Sequence, residues 1–272
     1  GLVLLGVNCL RKTDHGLWMR RVLIGGIFVV HGGRMVLGAM VMFFPFVFKE
    51  DLPRYRYAKL RFVSLEGMPE NLWMVKMVHD ILQQMFANSV VLAAPAILCC
   101  FDEAQTIGAL ECIGTFVWGL SWWWESAADM QKLIFMTRSK SEDGGASMDV
   151  LGVAPYDGLT YRMWTLCRHP NYFGEWMAWV GIVTVAIPSL WRCSSTPAQA
   201  AALGVGMLFV PRFMYDCLVY WTGAEPAEYF SARKRPKYLE YQKKVRVFWP
   251  FEMPYVDHGR MEGWPHGQKT TS

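Results

Sequence analysis

The sequence predicts an all-α protein built into a membrane, and three observations carry that prediction. The 272-residue chain is 53% hydrophobic and 15% aromatic, with only 18% of its residues charged. Its apolar residues come in long blocks, several of them near the ~20 residues a helix needs to cross a bilayer core. Its polar residues come in blocks as well, set between the apolar ones. Backbone N–H and C=O groups in hydrocarbon must be bonded internally, and a helix does this within its own segment. The expected architecture is a polytopic transmembrane helical bundle of about 5–7 membrane helices with interfacial amphipathic segments. Residues 1–256 are expected to form one membrane domain and 257–272 a polar C-terminal tail.

In chain order, residues 1–10 read as the end of a first membrane helix, followed by a basic linker with Arg11, Lys12, Arg20 and Arg21. An apolar run over 22–48 is interrupted by His31, Gly32, Gly33 and Arg34, and a charged loop covers 49–61. Over 70–86, Leu72, Val75, Val78 and Leu82 recur at helical spacing while Lys76, His79 and Asp80 fall elsewhere, the pattern of an amphipathic or partly buried helix. Apolar stretches 87–101 and 105–124 flank Asp102, Glu103 and Ala104 as a tight hairpin. A polar region from Glu125 to Pro170 contains the Gly- and Ser-rich stretch 139–147. Stretches 172–192 and 199–224 form a second hairpin, and a basic aromatic segment (225–250) precedes the tail.

Two hairpins return the chain to the side it left, so 49–86, 125–170 and 225–250 are expected at one membrane face. Basic residues occur on both sides, which leaves the orientation open. The net charge of +4, carried in loops, suits anionic headgroups or a phosphorylated ligand rather than nucleic acid. The seven cysteines (Cys9, Cys99, Cys100, Cys112, Cys167, Cys193, Cys217) include no CxxC pair and read as small core residues, with neither a disulfide framework nor a metal site.

The stretch richest in chemistry is Arg168-His169-Pro170-Asn171-Tyr172-Phe173-Gly174-Glu175. Pro170 suits the first turn of a helix, where its missing N–H would have no partner anyway. The N–H groups of that first turn favour an anion, and Arg168 can grip a phosphate with two parallel bonds. Glu175 would be expensive facing lipid and is expected to face a cavity or a polar ligand. An isolated Arg–His pair would read as a headgroup anchor, but the whole octapeptide reads as a site.

A second constellation has Tyr238 and Tyr241 on one side of a helix, with Arg235 one turn earlier. These groups suit ribose and phosphate. The plainer reading is a basic amphipathic helix lying on anionic lipid. A third is Asp129-Met130-Gln131-Lys132 after Trp122-Trp123-Trp124, which also fits an interfacial Trp belt and a solvated turn. Arg212 and Asp216 are four apart and can pair within one helix.

Together these motifs resemble the steroid 5-alpha-reductase-like membrane reductases, in a branch of unknown substrate. Cys167-Arg168-His169-Pro170-Asn171-Tyr172-Phe173-Gly174-Glu175 matches that family's "SRHPNYFGE" at the start of a late membrane helix. Its "R-P-x-Y-x-x-Y" turn is matched by Arg235, Pro236, Tyr238 and Tyr241, and its hydrophobic-Pro ending by Phe248-Trp249-Pro250. Its "D-x-Q-K-x-x-F" stretch is matched by Asp129, Gln131, Lys132 and Phe135, and an acidic-aromatic loop by Glu50, Asp51, Arg56, Tyr57 and Arg61. The likeness covers residues 30–250.

The resemblance implies NADPH as cofactor, with Asp129, Arg168, His169, Asn171, Glu175, Arg235, Tyr238 and Tyr241 as its contacts. It implies hydride delivery to a carbon–carbon double bond of a lipid or steroid-like substrate. The acid that polarises the substrate is not assigned by the motifs; Glu111, inside an apolar run, is the candidate on burial alone. The chain departs from the pattern by a longer stretch between Gly158 and Arg168, an insertion over 139–157 and extra residues around Pro53.

Two other classes compete. Membrane methyltransferases using S-adenosylmethionine share the Arg-His-Pro signature, but they carry paired glutamates where this chain has Glu225-Pro226. Alternatively, a reductase-like fold serves as a subunit of a larger membrane complex, held by neighbouring subunits along 139–157 and 257–272. The expected setting is the mitochondrial inner membrane or the endoplasmic reticulum.

Overall fold

The computed structural model describes residues 2–11, 18–43, 53–139 and 148–253. The expected loop at Glu50 and Asp51, most of the 139–147 stretch and the tail 257–272 lie outside the described residues. The helices are α1 (Leu2–Arg11), α2 (Trp18–Phe43), α3 (Pro53–Leu60), α4 (Trp73–Val90), α5 (Ala94–Phe101), α6 (Ala109–Arg138), α7 (Arg162–Leu166), α8 (Pro170–Cys193), α9 (Pro197–Asp216), α10 (Ala224–Lys234) and α11 (Pro236–Lys244). Wider π-helical turns, Arg61–Leu65 and Cys217–Trp221, prolong α3 and α9. Among the described residues there is no strand, only an isolated parallel bridge between Cys167 and Arg246. The all-α bundle read from the sequence is the fold observed.

Three helical stretches among the described residues are long and apolar enough to cross a membrane: Met19–Gly38, Pro170–Cys193 and Pro197–Lys234. The expected polar region from Glu125 begins within a helix. Helix α6 runs unbroken for 30 residues through Glu125, Asp129 and Lys132 to Arg138. Ala127, Ala128, Met130, Gln131, Lys132 and Leu133 are strong helix formers, so a change from apolar to polar composition does not end the helix. The expected span 87–101 is in fact two helices, α4 and α5, separated by a turn at residues 91–93.

The chain divides into two compact units: the residues up to Gly119 with Ala178–Phe213, and Leu120–Met177 with the residues from Met214 on. In the first, α1 lies against α2 at glycine contacts. A Cβ added to Gly6 would meet the Gly25 carbonyl oxygen at 2.7 Å, and one added to Gly25 would meet the Gly6 oxygen at 2.9 Å. Lipid is as apolar as leucine, so helices associating there rely on this close backbone approach.

Arg20 and Arg21, expected in a linker, sit inside the first turns of α2, and both are buried. Arg20 can be there because carboxylates meet it. Its Nε donates to Glu111 Oε1 at 2.7 Å, and its Nη2 donates to Asp102 Oδ2 and Ser189 Oγ at 2.8 Å each. Arg192 Nη1 donates to the same Asp102 oxygen at 2.7 Å. Burial alone would raise the Asp102 carboxyl, but the Ala104 N–H, Ser189, Arg20 and Arg192 together hold it below the usual carboxylate range. Two acids and two guanidiniums cancel, which is how an apolar frame tolerates them. Glu111 also accepts the Gly108 N–H, so its carboxylate serves this cluster.

Arg20→Ala would leave Asp102 and Glu111 without their main partner. The expected cost is about 3–5 kcal/mol, read as a fall in the thermal midpoint of detergent-purified protein. Arg192→Ala, at a half-exposed side chain, should cost no more than about 1 kcal/mol.

Candidate functional site

The site lies in the second unit and is organised by the start of α8. Proline disfavours helical conformation at the residue before it and fits a helix's first position, which is where α8 begins. The segment leading into the helix is pinned by the Arg168 N–H, which donates to the Arg246 carbonyl at 2.7 Å. One turn into the helix, a Cβ on Gly174 would lie 2.7 Å from Glu125 Cβ and 2.9 Å from Glu125 Cα. Only glycine allows α8 to run this close to α6. That proximity puts Asn171 beside Asp129, Nδ2 donating to Oδ1 at 3.1 Å, and Trp124 Nε1 on the Pro170 carbonyl at 2.9 Å.

At the centre is a residue that the sequence reading did not single out, Glu228 of α10, fully buried. Its Oε1 accepts Arg168 Nε at 2.7 Å and His169 Nε2 at 2.8 Å, and its Oε2 accepts Gln242 Nε2 at 2.7 Å. Arg168 Nη1 also donates to the carbonyls of Gln242, at 3.0 Å, and Val245. A carboxylate only accepts, so Nε2 carries the imidazole proton. Burial lowers the His169 pKa by more than Glu228 restores, leaving the ring neutral. Burial would also lower Arg168, but Glu228 overrides it and holds the guanidinium above its usual value. The His169 ring stacks on Tyr172 with centroids 5.0 Å apart and planes 3° from parallel.

The tyrosines of α11 share a face as their spacing predicts. Tyr238 and Tyr241 are both buried, ring centroids 5.6 Å apart, and burial raises both hydroxyl pKa values. Tyr241 donates its hydroxyl to the Trp164 carbonyl, and Trp164 Nε1 donates to the Ala128 carbonyl at 3.1 Å. Arg235 stands at the N-cap of α11, half-exposed, and Glu175 is buried in the first turns of α8. Every candidate cofactor contact therefore falls in this one unit. Arg168, His169 and Tyr241 hydrogen-bond to protein groups, and Asn171 and Asp129 to each other.

Three polar groups stand out by what they lack. Lys132, half-buried, lies one turn beyond Asp129 on α6, its ammonium 5.8 Å from the Trp164 ring centroid, and it makes no side-chain hydrogen bond among the described residues. Burial pushes its pKa down against the pull of Asp129. Asn171 Oδ1 is buried without a hydrogen-bond partner, and so is the Tyr161 hydroxyl. The sequence held a signal for each omission. Lys132 stands inside the D-x-Q-K stretch, and an Arg-His pair at a helix start calls for an acid such as Glu228 elsewhere. Among the described residues no group of His, Cys, Asp and Glu gathers as metal ligands would.

Fold and site thus define a helical membrane protein with a polar, charge-compensated centre where a spanning helix begins. The chain belongs to the DUF1295 family, described as proteins of unknown function, whose family model matches residues 1–245. No curated protein and no solved structure matches it.

The neutral His169 sets a pH dependence. Its folded pKa lies below the ~6.5 of an unfolded histidine, so the unfolded chain binds the extra proton first. Stability is expected to be full above pH ~6.5 and to fall as pH drops toward the folded value. Thermal midpoints across pH 7.5 to 5 should show a steeper loss for the native chain than for His169→Gln; parallel curves would remove His169 as the origin.

Proposed function

We propose that the protein is a membrane-embedded NADPH-dependent reductase acting on a carbon–carbon double bond of a lipid or steroid-like substrate. The observation that carries this reading is the unmet polar capacity around Asp129. An ammonium without a hydrogen-bonding partner suits a phosphate oxygen. A buried amide oxygen without a donor suits a ribose hydroxyl or a carboxamide N–H. These groups fit a dinucleotide better than they fit lipid, which would leave them unsatisfied. NADPH, when bound, would supply the hydride.

The same geometry divides the work among the motif residues. Arg168 spends Nε and Nη1 on Glu228, Gln242 and Val245, so in this reading it holds the frame. Lys132, with half-exposed Arg235, takes the anionic end of the ligand. Asp129 orients Asn171 and opposes Lys132's loss of charge. The setting in this reading is the mitochondrial inner membrane or the endoplasmic reticulum.

A second reading is an accessory subunit of a larger membrane complex. The observation favouring it is that the protein's own Arg168, His169 and Gln242 satisfy the Glu228 carboxylate.

Titration of the full chain in lipid nanodiscs with NADPH, followed by nucleotide fluorescence, separates the two. Saturable binding is expected. Lys132→Ala should weaken it by about 1.5–3 kcal/mol, the scale of a hydrogen bond to a charged group, with the thermal midpoint unchanged. Absence of binding to the native chain would leave the subunit reading, and native-like binding by Lys132→Ala would take that residue out of the site.

A further inference from the structure

Helix α4 is amphipathic the wrong way round for water. Residues follow one another by 100° around a helix, which places Lys76, Asp80 and Gln84 in one narrow arc. All three are half-buried, turned toward the protein. The opposite arc carries Met74, Val75, Val78, Leu82, Met85 and Phe86, each between 53% and 67% exposed. The polar groups of the first arc face inward and the large apolar groups face outward, with His79 and Gln83 exposed at the border between them.

The inward charges are neutralised locally. Lys76 Nζ and Asp80 Oδ1 pair at 2.8 Å, and the same ammonium sits 5.1 Å from the Phe62 ring centroid. A helix lying on a membrane surface keeps its polar face toward headgroups and water. Here that face is turned to the protein's own Phe62, so surface adsorption does not fit. Immersion does. The 18 residues of α4 span about 27 Å, close to the ~30 Å hydrocarbon core.

The two ends differ as a membrane helix requires. Before α4 stands a charged collar: Lys59 pairs with Glu70 at 2.9 Å and lies 5.4 Å from the Trp73 ring centroid, and Arg61 pairs with Glu66 at 3.3 Å. A tryptophan beside exposed charges is the arrangement favoured at the lipid–water interface. After Asp80 no charged residue occurs before Asp102.

We propose that the outer face of α4 is covered by phospholipid acyl chains, with the Lys59–Glu70–Trp73 collar at the headgroups and the helix beyond it in hydrocarbon. This makes α4 a membrane-embedded helix although composition alone does not mark it as a span. The Lys76–Asp80 pair spoils its apolar count, but the two charges are half-buried and neutralise each other. The inference is independent of any cofactor.

The test places the photo-crosslinking amino acid p-benzoylphenylalanine at Leu82 or Phe86 of the full chain, reconstituted in phosphatidylcholine vesicles. Both side chains point away from the protein, so the fold tolerates the change. After irradiation, intact-mass analysis should find adducts of one phosphatidylcholine mass, at a yield at least tenfold that from the same label at Lys243, an exposed position of the polar helix α11. Cross-linking to a second copy or another protein would overturn the proposal in favour of a protein partner. Yields equal to that at Lys243, or no adduct at all, would overturn it in favour of water.

Discussion

The Glu228 carboxylate of α10 ties Arg168 and His169, at the start of α8, to Gln242 of α11. Each ion taken into an apolar interior costs several kcal/mol of lost hydration, and a well-made pair does little more than offset this. The network's value is therefore in placement rather than in net stability. A carboxylate with two acceptor oxygens and fixed donors has one arrangement that gives both oxygens a donor. That arrangement sets where α8 starts and which way α10 and α11 face it.

The consequences run outward from there. With its start held, α8 crosses α6 at Gly174 and brings Asn171 to Asp129. Tyr241 closes on Trp164, and the Trp164 ring lies under the Lys132 ammonium. A satisfied frame thus surrounds a few groups whose bonding is incomplete. In a chain this apolar, such groups are the exception, and they are where a polar ligand would gain most. The first unit uses the same principle differently. Arg20, Arg192, Asp102 and Glu111 saturate one another, so their charge serves cohesion.

Much of this was legible in the amino-acid order. Apolar blocks of spanning length marked α2, α8 and α9. Pro170 marked the start of α8, and the three-residue spacing of Tyr238 and Tyr241 marked a shared face. The misreadings have a common cause. Glu125–Arg138 read as the start of a polar region because its composition turns polar, yet helix propensity continues through it. Arg20 looked like a linker residue because an arginine beside an apolar run costs too much unless acids meet it. Those acids are 82 and 91 residues away.

What the sequence alone determined was local: helical periodicity, the helix start at Pro170, and a charge-poor composition suited to lipid. These follow from each residue's own conformational preference and transfer energy, which its near neighbours suffice to reveal. What only the tertiary structure decided was the pairing of charges. Glu228 is the partner of Arg168 because folding brings residues 60 apart into an interior where an unpaired charge cannot remain. Lys132 stands out only because that same folding gives it no side-chain hydrogen bond among the described residues.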